Sequence, residues 1–340
     1  MTKEEILNAL KSVKYPPYNK DIVSFGMVKY VKVEGGKADV RLFTGGNPRL
    51  AESLARECAA VLAKAFPQGE FNVGLLAEAP EKSNPAPTPK KETLSSVKMK
   101  IAVASGKGGV GKSTVAVNLA RAFAEMFSKD GAARVGLMDC DIHGPSAAML
   151  FGQKVFPTVT PDEKIVPPEI GGVKVISMGM LVDDDQPLLW RGPMVSGAIK
   201  QFAEDLLWGE LDAMVIDLPP GTGDAVLSAA QIIPLDGALI VTTPNNLAAA
   251  TAVRGAALFS KTSVPILGVV ENMAYFQMPD GSKEFIFGEG FADGAASALG
   301  TEVAARIPLD KTLHTDSPSQ ASREIFASLA KFAAEKIAKK

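Results

Sequence analysis

The sequence predicts an α/β chain: a mostly parallel, doubly wound sheet preceded by a small α+β domain. Three observations carry that prediction. First, an apolar run from Met99 to Ala104 meets a glycine-rich turn, and an apolar-periodic segment from Ser113 to Phe127 follows, giving strand, loop and helix. Second, short apolar runs recur downstream at Arg134 to Asp139, Val173 to Met178, Ala213 to Asp217, Gly237 to Thr242 and Ile266 to Glu271. Helical spacing separates several of them, at Met194 to Leu207, Ala225 to Ile232 and Leu247 to Ser260. Such alternation is the pattern of a parallel sheet covered on both faces, whose ligands sit at the carboxyl ends of the strands. Third, Ala79 to Thr93 is rich in proline and lysine and almost free of large apolar groups, so it reads as a semi-stiff linker.

These breaks divide the chain into residues 1–78, a linker at 79–97 and a sheet domain at 98–340. In the first part, Thr2-Lys3-Glu4-Glu5 is a capping box that opens a helix to about Lys11. Met27 to Phe43 alternates apolar and polar residues around Gly35-Gly36, which is a hairpin signal. Pro48 to Phe66 places Leu50, Leu54, Cys58, Val61 and Ala65 on one helical stripe, and Phe71 to Leu76 reads as a third strand. Near the other end, Val303 to Ile307 is a strand leading into Pro308. Ser322 to Lys340 has Ile325, Leu329, Phe332 and Ile337 at helical spacing and a basic end. It fits a helix docked on the core or one lying on a membrane surface, and docking is the expected state. No internal repeat is present.

At 340 residues the chain is long enough for two domains, and 46% hydrophobic with 22% charged residues is ample for a core. A net charge of −2 provides no global field for nucleic acid, so none is expected as a partner. No signal peptide and no apolar run long enough to span a bilayer are evident, and membrane association is not expected. Cys58 and Cys140 are the only cysteines, which argues against a disulfide framework and for a cytoplasmic location. Cys58 lies on an apolar stripe and reads as a core thiol.

The chemistry concentrates at Gly106-Lys107-Gly108-Gly109-Val110-Gly111-Lys112-Ser113, followed by Thr114. This matches the phosphate-loop pattern G-x-x-x-x-G-K-[ST] and has the strand and helix that the pattern requires. The glycines let main-chain N–H groups converge on one point, and the helix N-terminus adds partial positive charge there. Lys112 would reach the outer phosphates of a bound nucleotide, and the Ser113 hydroxyl would ligate Mg²⁺. Asp139-Cys140-Asp141 ends the next strand, where alternation points both carboxylates the same way. One can hold Mg²⁺ or its water and the other can orient the attacking water; Asp141, further into the loop, is assigned to the water and Asp139 to the metal. Asp217 ends the strand M-V-I-D before Leu218-Pro219-Pro220-Gly221-Thr222-Gly223-Asp224, the place of a second magnesium element. Asp224 reads as a helix N-cap. His143 and His314 read as solvated or capping residues, not ligands.

Two resemblances follow from these residues. The second lysine of K-G-G-V-G-K-S, Lys107, looks like that of the deviant phosphate loops of MinD/ParA-like ATPases. That likeness implies a face-to-face homodimer in which Lys107 reaches the partner's nucleotide and assists catalysis with Lys112. More specifically, GKGGVGKST, DCDIHGPS, WRGPM, WGELD, DLPPGTGD, VTTPNNLA, GVVENMAYF and IPLD occur in the order seen in Mrp-type (ApbC-like) iron–sulfur cluster carrier ATPases. The match runs from about Lys98 to the C-terminus. The N-terminal part resembles the iron–sulfur-assembly domain often fused to bacterial members. The resemblance implies a P-loop ATPase that binds and slowly hydrolyses Mg·ATP, with Asn272 reading the adenine edge and Pro308 packing on the base. It also implies a [4Fe–4S] cluster at the dimer interface and protein clients that receive it. Where the family has C-P-x-C after E-N-M-x-Y-F, this chain has Met278 and Gly281, and where it often has Cys-Pro this chain has Asn47-Pro48. A thioether and a glycine supply no thiolate, so no iron–sulfur ligands are expected. The alternative function is then a nucleotide-gated switch or scaffold that controls a protein partner without carrying a cluster.

Overall fold

The computed structural model describes residues 1–15, 20–23, 27–34, 36–42, 48–75, 93–127, 134–141, 147–152, 155–160, 164–180 and 192–339. Residues 79–92 of the expected linker, and Gly35, Asn47 and His143, fall outside them. The chain divides into two compact units, Met1–Pro89 and Lys90–Lys340.

In the first unit, helix α1 (Lys3–Leu10) starts on the predicted capping box. The Thr2 hydroxyl accepts from the Glu5 N–H, and the Thr2 N–H donates to Glu5 Oε2 at 2.7 Å. Strands β1 (Val28–Glu34) and β2 (Lys37–Leu42) pair antiparallel, and β3 (Glu70–Leu75) returns parallel to β2 after helix α2 (Pro48–Ala65). Ala38, Val40 and Leu42 alternate inward onto Leu54, Cys58 and Leu62. The buried stripe of α2 thus continues from Cys58 to Leu62, while Ala65 is exposed and Val61 half-buried. Steps of four residues, not three, track the face that meets the sheet over these turns.

The second unit is built on β4 (Val97–Ser105), α3 (Lys112–Phe127), β5 (Val135–Asp139), β6 (Glu169–Ile170), β7 (Val173–Ser177) and α4 (Gly192–Glu204). Next come β8 (Leu211–Asp217), α5 (Asp224–Ile232), β9 (Gly237–Thr242) and α6 (Asn246–Lys261). The unit closes with β10 (Ile266–Glu271), α7 (Phe291–Ala298), β11 (Val303–Arg306) and α8 (Gln320–Ala338). The eight strands form one sheet in the order β6-β7-β5-β8-β4-β9-β10-β11. It is parallel throughout except at the short edge strand β6.

Alternation along β4 sorts the core. Ile101 and Val103 face α3 and α8, whereas Ala102 and Ala104 face α4, α5 and α6. The terminal helix is docked as expected, with Phe326, Leu329, Ala330 and Ala333 buried. Helix α5 is capped by Gly223, with Asp224 inside its first turn, so the N-cap expectation for Asp224 is off by one residue. Asp224 still places its charge at the favourable end of the helix dipole.

Candidate phosphate-loop site

The loop Gly106–Gly111 links β4 to α3 at the carboxyl edge of the sheet. Two close approaches fix its course. At Gly106 a Cβ would meet the Thr251 carbonyl oxygen at 2.2 Å, so α6 packs directly on the loop backbone. At Gly111, with φ of +80°, the same space holds Asn272 Nδ2, 2.1 Å from where a Cβ would sit. Helix α3 then begins at Lys112, and its N-terminus lies at the loop.

Sheet order brings the acids together. Asp217 ends β8 beside Val103 of β4, Asp139 ends β5 beside Asp217, and Ser177 of β7 stands on the other side of Asp139. In-register residues of a parallel sheet point to the same face, so Ser177, Asp139 and Asp217 form one row. Asp139 is wholly buried. Its Oδ1 accepts from the Asp141 N–H at 3.0 Å, and its Oδ2 accepts from Ser177 Oγ at 3.0 Å and the Ala147 N–H at 3.2 Å. Ser177 was missed by the sequence reading; its only signal is a polar residue ending an otherwise apolar run.

Lys112 is 5% exposed and its ammonium ion-pairs with Asp217. Asp141 Oδ2 lies 3.6 Å from the same Nζ, and Ser113 Oγ lies 3.3 Å away. Burial pushes the Lys112 pKa down, but Asp217, Asp141 and Asp139 outweigh it and raise it. Burial pushes Asp217 up against the pull of Lys112 and Ser113. Burial, then the charge of Asp217, lifts Asp139 to about 7. One cation thus faces three carboxylates in a low-dielectric pocket, which favours entry of further positive charge. Asp217 Oδ2 is buried with no hydrogen-bond partner. That orphaned oxygen, next to the Ser113 hydroxyl, suits a hard, oxygen-seeking cation such as Mg²⁺.

Asn272 is buried, and its Nδ2 donates to the Val110 carbonyl at 2.9 Å. That bond uses one N–H of the amide and leaves Oδ1 as its acceptor. Pro308 is buried within a segment tied on both sides: Ile307 N–H donates to the Glu271 carbonyl, Ala274 N–H to Ile307, and Leu309 N–H to Tyr275, each at 2.8 Å. The next turn is held by Asp310, which accepts from the Thr312, Ser319 and Ser322 hydroxyls at 2.7, 2.6 and 2.7 Å. Partial burial raises the Asp310 pKa, but hydrogen bonds from Ser319, Thr312 and Ser322 outweigh it and hold the carboxyl at about 2. Sequence reading missed Asp310 because its partners lie up to twelve residues away.

Both cysteines are buried and unpaired, one in each unit. Burial pushes the Cys58 thiol up to about 12 and Cys140 well above its ordinary value. Met278 and Gly281 sit in the turn between short strands Phe276–Gln277 and Lys283–Glu284, closed by Gly281 N–H to Met278 O at 3.0 Å. Among the described residues no group of three or more His, Cys, Asp or Glu converges to hold a metal ion, and no helix is long and apolar enough to cross a membrane.

A parallel sheet with this loop, its lysine and two strand-end aspartates defines a P-loop NTPase. Comparison with solved structures agrees. The nucleotide-binding protein from Archaeoglobus fulgidus, solved in complex with ADP, is 37% identical, with a TM-score of 0.57 over 70% of this chain and 90% of that one. The cell-division ATPase MinD of Pyrococcus furiosus shares the fold, at 20% identity and a TM-score of 0.53 over 70% of this chain and 99% of that one. Residues 96–340 match the family described as NUBPL iron-transfer P-loop NTPase, and residues 3–73 match the iron-sulfur cluster assembly protein family. The iron-sulfur cluster carrier protein of Synechocystis is 37% identical over 99% of this chain and 98% of its own length. That of Helicobacter pylori is 39% identical over 91% of this chain and 83% of its own. The chain belongs to the iron–sulfur cluster carrier family of P-loop NTPases.

Proposed function

We propose that this protein is a dimeric Mg·ATP hydrolase acting in iron–sulfur cluster assembly or transfer. The observation that carries the reading is the buried set of Lys112, Asp139, Asp141 and Asp217 beside the glycine-rich loop. ATP phosphates would accept from the main-chain N–H groups of Gly108 to Ser113 and draw Lys112 from Asp217, with Gly106, Lys107 and Thr114 completing the cradle. The freed Asp217 carboxylate, with Ser113 and Asp139, would hold Mg²⁺, whose charge offsets that of the transferring phosphoryl group. Asp141 would orient water for attack at the γ-phosphorus; the bond to the β–γ bridging oxygen breaks and ADP leaves with it. Lys107 of a second copy would stabilise the charge that develops. Asn272 Oδ1 would accept from the 6-amino group of adenine, and Pro308 would pack on the ring.

A second reading is favoured by the turn at Met278 and Gly281, which offers no thiolate, and by the burial of both cysteines. The ATP state would then control a protein partner directly, without a cluster on the usual pair of residues.

Calorimetry with ATP, ADP and a non-hydrolysable analogue in magnesium tests the common core. Heat of binding and slow phosphate release are expected, and no binding of any of the three overturns both readings. Anaerobic reconstitution with iron and sulfide separates them. A colourless protein that hydrolyses ATP favours the second reading, whereas a stable chromophore with about four irons per dimer restores cluster carriage by this chain.

A further inference from the structure

Asn272 stands where the phosphate loop meets a surface hairpin. Its backbone N–H donates to the Thr242 carbonyl at 2.8 Å, and its Nδ2 donates to Val110 within the loop at 2.9 Å. The next residue, Met273, has φ of +56°, a left-handed conformation that a side chain with Cβ adopts only when its neighbours impose it. Ala274 and Tyr275 then pair with Ile307 and Leu309, and the hairpin begins at Phe276.

The hairpin is a defined body. Met278 N–H donates to the Ser282 carbonyl at 2.9 Å, and Gln277 Nε2 donates to the Gly281 carbonyl at 2.7 Å. At its base the buried Tyr275 ring meets Phe285 edge-on at 6.3 Å, with Lys283 Nζ 4.3 Å from the Tyr275 centroid. On the hairpin and just beyond it the chain exposes Phe276 at 41%, Ile286 at 54% and Phe287 at 51%. The far end is rooted as well: the Arg306 guanidinium bridges buried Glu271, the residue before Asn272, and Asp293 in the first turn of α7.

We infer that Asn272 is a positioning residue for the phosphate loop and that, through Met273, it makes the hairpin report the state of that loop. A buried amide donor deprived of its acceptor bears the full desolvation cost, so the Asn272 side chain follows the Val110 carbonyl. Phosphates that draw the loop amides reset that carbonyl. The left-handed corner at Met273 passes the change to Ala274 and Tyr275 as a displacement, because a residue held there has little freedom to absorb it. The outcome is a nucleotide-dependent presentation of the Phe276, Ile286 and Phe287 surface. This rests on the loop being an ATP site. Nucleotide shifts the hairpin only as far as the loop binds it differently in the two hairpin states.

The test is hydrogen exchange of the full chain across residues 275–287, alone and with Mg·ADP or a non-hydrolysable ATP analogue, with binding followed in parallel by calorimetry. Bound nucleotide is expected to change exchange in this segment by about threefold or more. Asn272→Asp keeps the shape but faces the Val110 carbonyl with an acceptor, and is expected to abolish the response in the hairpin. Met273→Gly keeps the hydrogen bond and softens the corner, and is expected to reduce the response by about half even if the Asp variant fails to fold. Binding by calorimetry with unchanged exchange overturns this inference and leaves the ATPase reading intact. So does a full response in either folded variant. No binding at all removes both.

Discussion

The phosphate-loop site and the hairpin after Asn272 are joined by a few residues and built on opposite principles. At the loop, charge is buried: Lys112, Asp139 and Asp217 are 5%, 0% and 0% exposed. Lys112 and Asp217 hold each other as an ion pair, and Asp139 is held by Ser177 and the Asp141 and Ala147 N–H groups. At the hairpin, apolar surface is exposed and the turn is closed by its own hydrogen bonds. The difference teaches where this chain is constrained. Buried ions demand a complete partner set, because a lone buried charge costs more than the pair contributes. An exposed turn imposes no such demand, and it is there that Met278 and Gly281 lie.

The sharpest way to break this contrast is Lys112→Ala. It removes the ammonium that faces three carboxylates, and ATP turnover is expected to fall by about a hundredfold or more in a phosphate-release assay. Its stability should also fall more steeply with rising pH than that of the parent, whose buried Asp139 is already lifted to about 7. Without Lys112 the folded-state pKa values of Asp139 and Asp217 rise further above their unfolded values. The penalty is therefore absent at low pH and grows as pH rises through neutrality, as denaturant midpoints across pH would register. Turnover that survives this substitution would mean that the site lies elsewhere.

A smaller effect is expected at Asp310, which braces the segment carrying Pro308. Asp310→Ala should weaken ATP binding by about tenfold while leaving the rate at saturation within about threefold, a split that steady-state kinetics resolves. The parent carboxyl, held at about 2, contributes stability that is present above about pH 4 and is lost as pH falls towards 2. The Ala variant should lack that acid-limb loss. Identical acid unfolding in the two proteins would remove the bracing role.

The smallest effect is expected furthest from the charges. Cys58→Ala, in the other unit, should leave ATP turnover within about twofold, although the cavity costs about 1–2 kcal/mol of that unit's stability. The native Cys58 thiol, pushed up to about 12, should resist alkylation at pH 8 until the unit unfolds. Equal losses of turnover from Cys58→Ala and Lys112→Ala would erase the distinction between regions.

Much of this was legible in the residues. The phosphate loop was, because strand, glycines and helix are contiguous and their roles are local. Asp139 and Asp217 were, because each closes a short apolar run that is followed by turn residues, and each does end a strand. The capping box at Thr2 and Glu5 was, because four consecutive residues contain both of its hydrogen bonds. By contrast, Ser177 joins Asp139 only because β7 is laid beside β5. Leu62 rather than Ala65 enters the core of the first unit because the sheet selects which edge of α2 it meets.

The sequence by itself determined the elements, the phosphate loop and the absence of a paired-thiol motif, since each is written in adjacent residues or in composition. Tertiary structure decided that Lys112 faces three carboxylates, that Asn272 turns its donor to Val110, and that Asp310 gathers two distant serines. Those contacts depend on the order of strands in the sheet, and strand order is a property of long-range packing that no local pattern of side chains encodes.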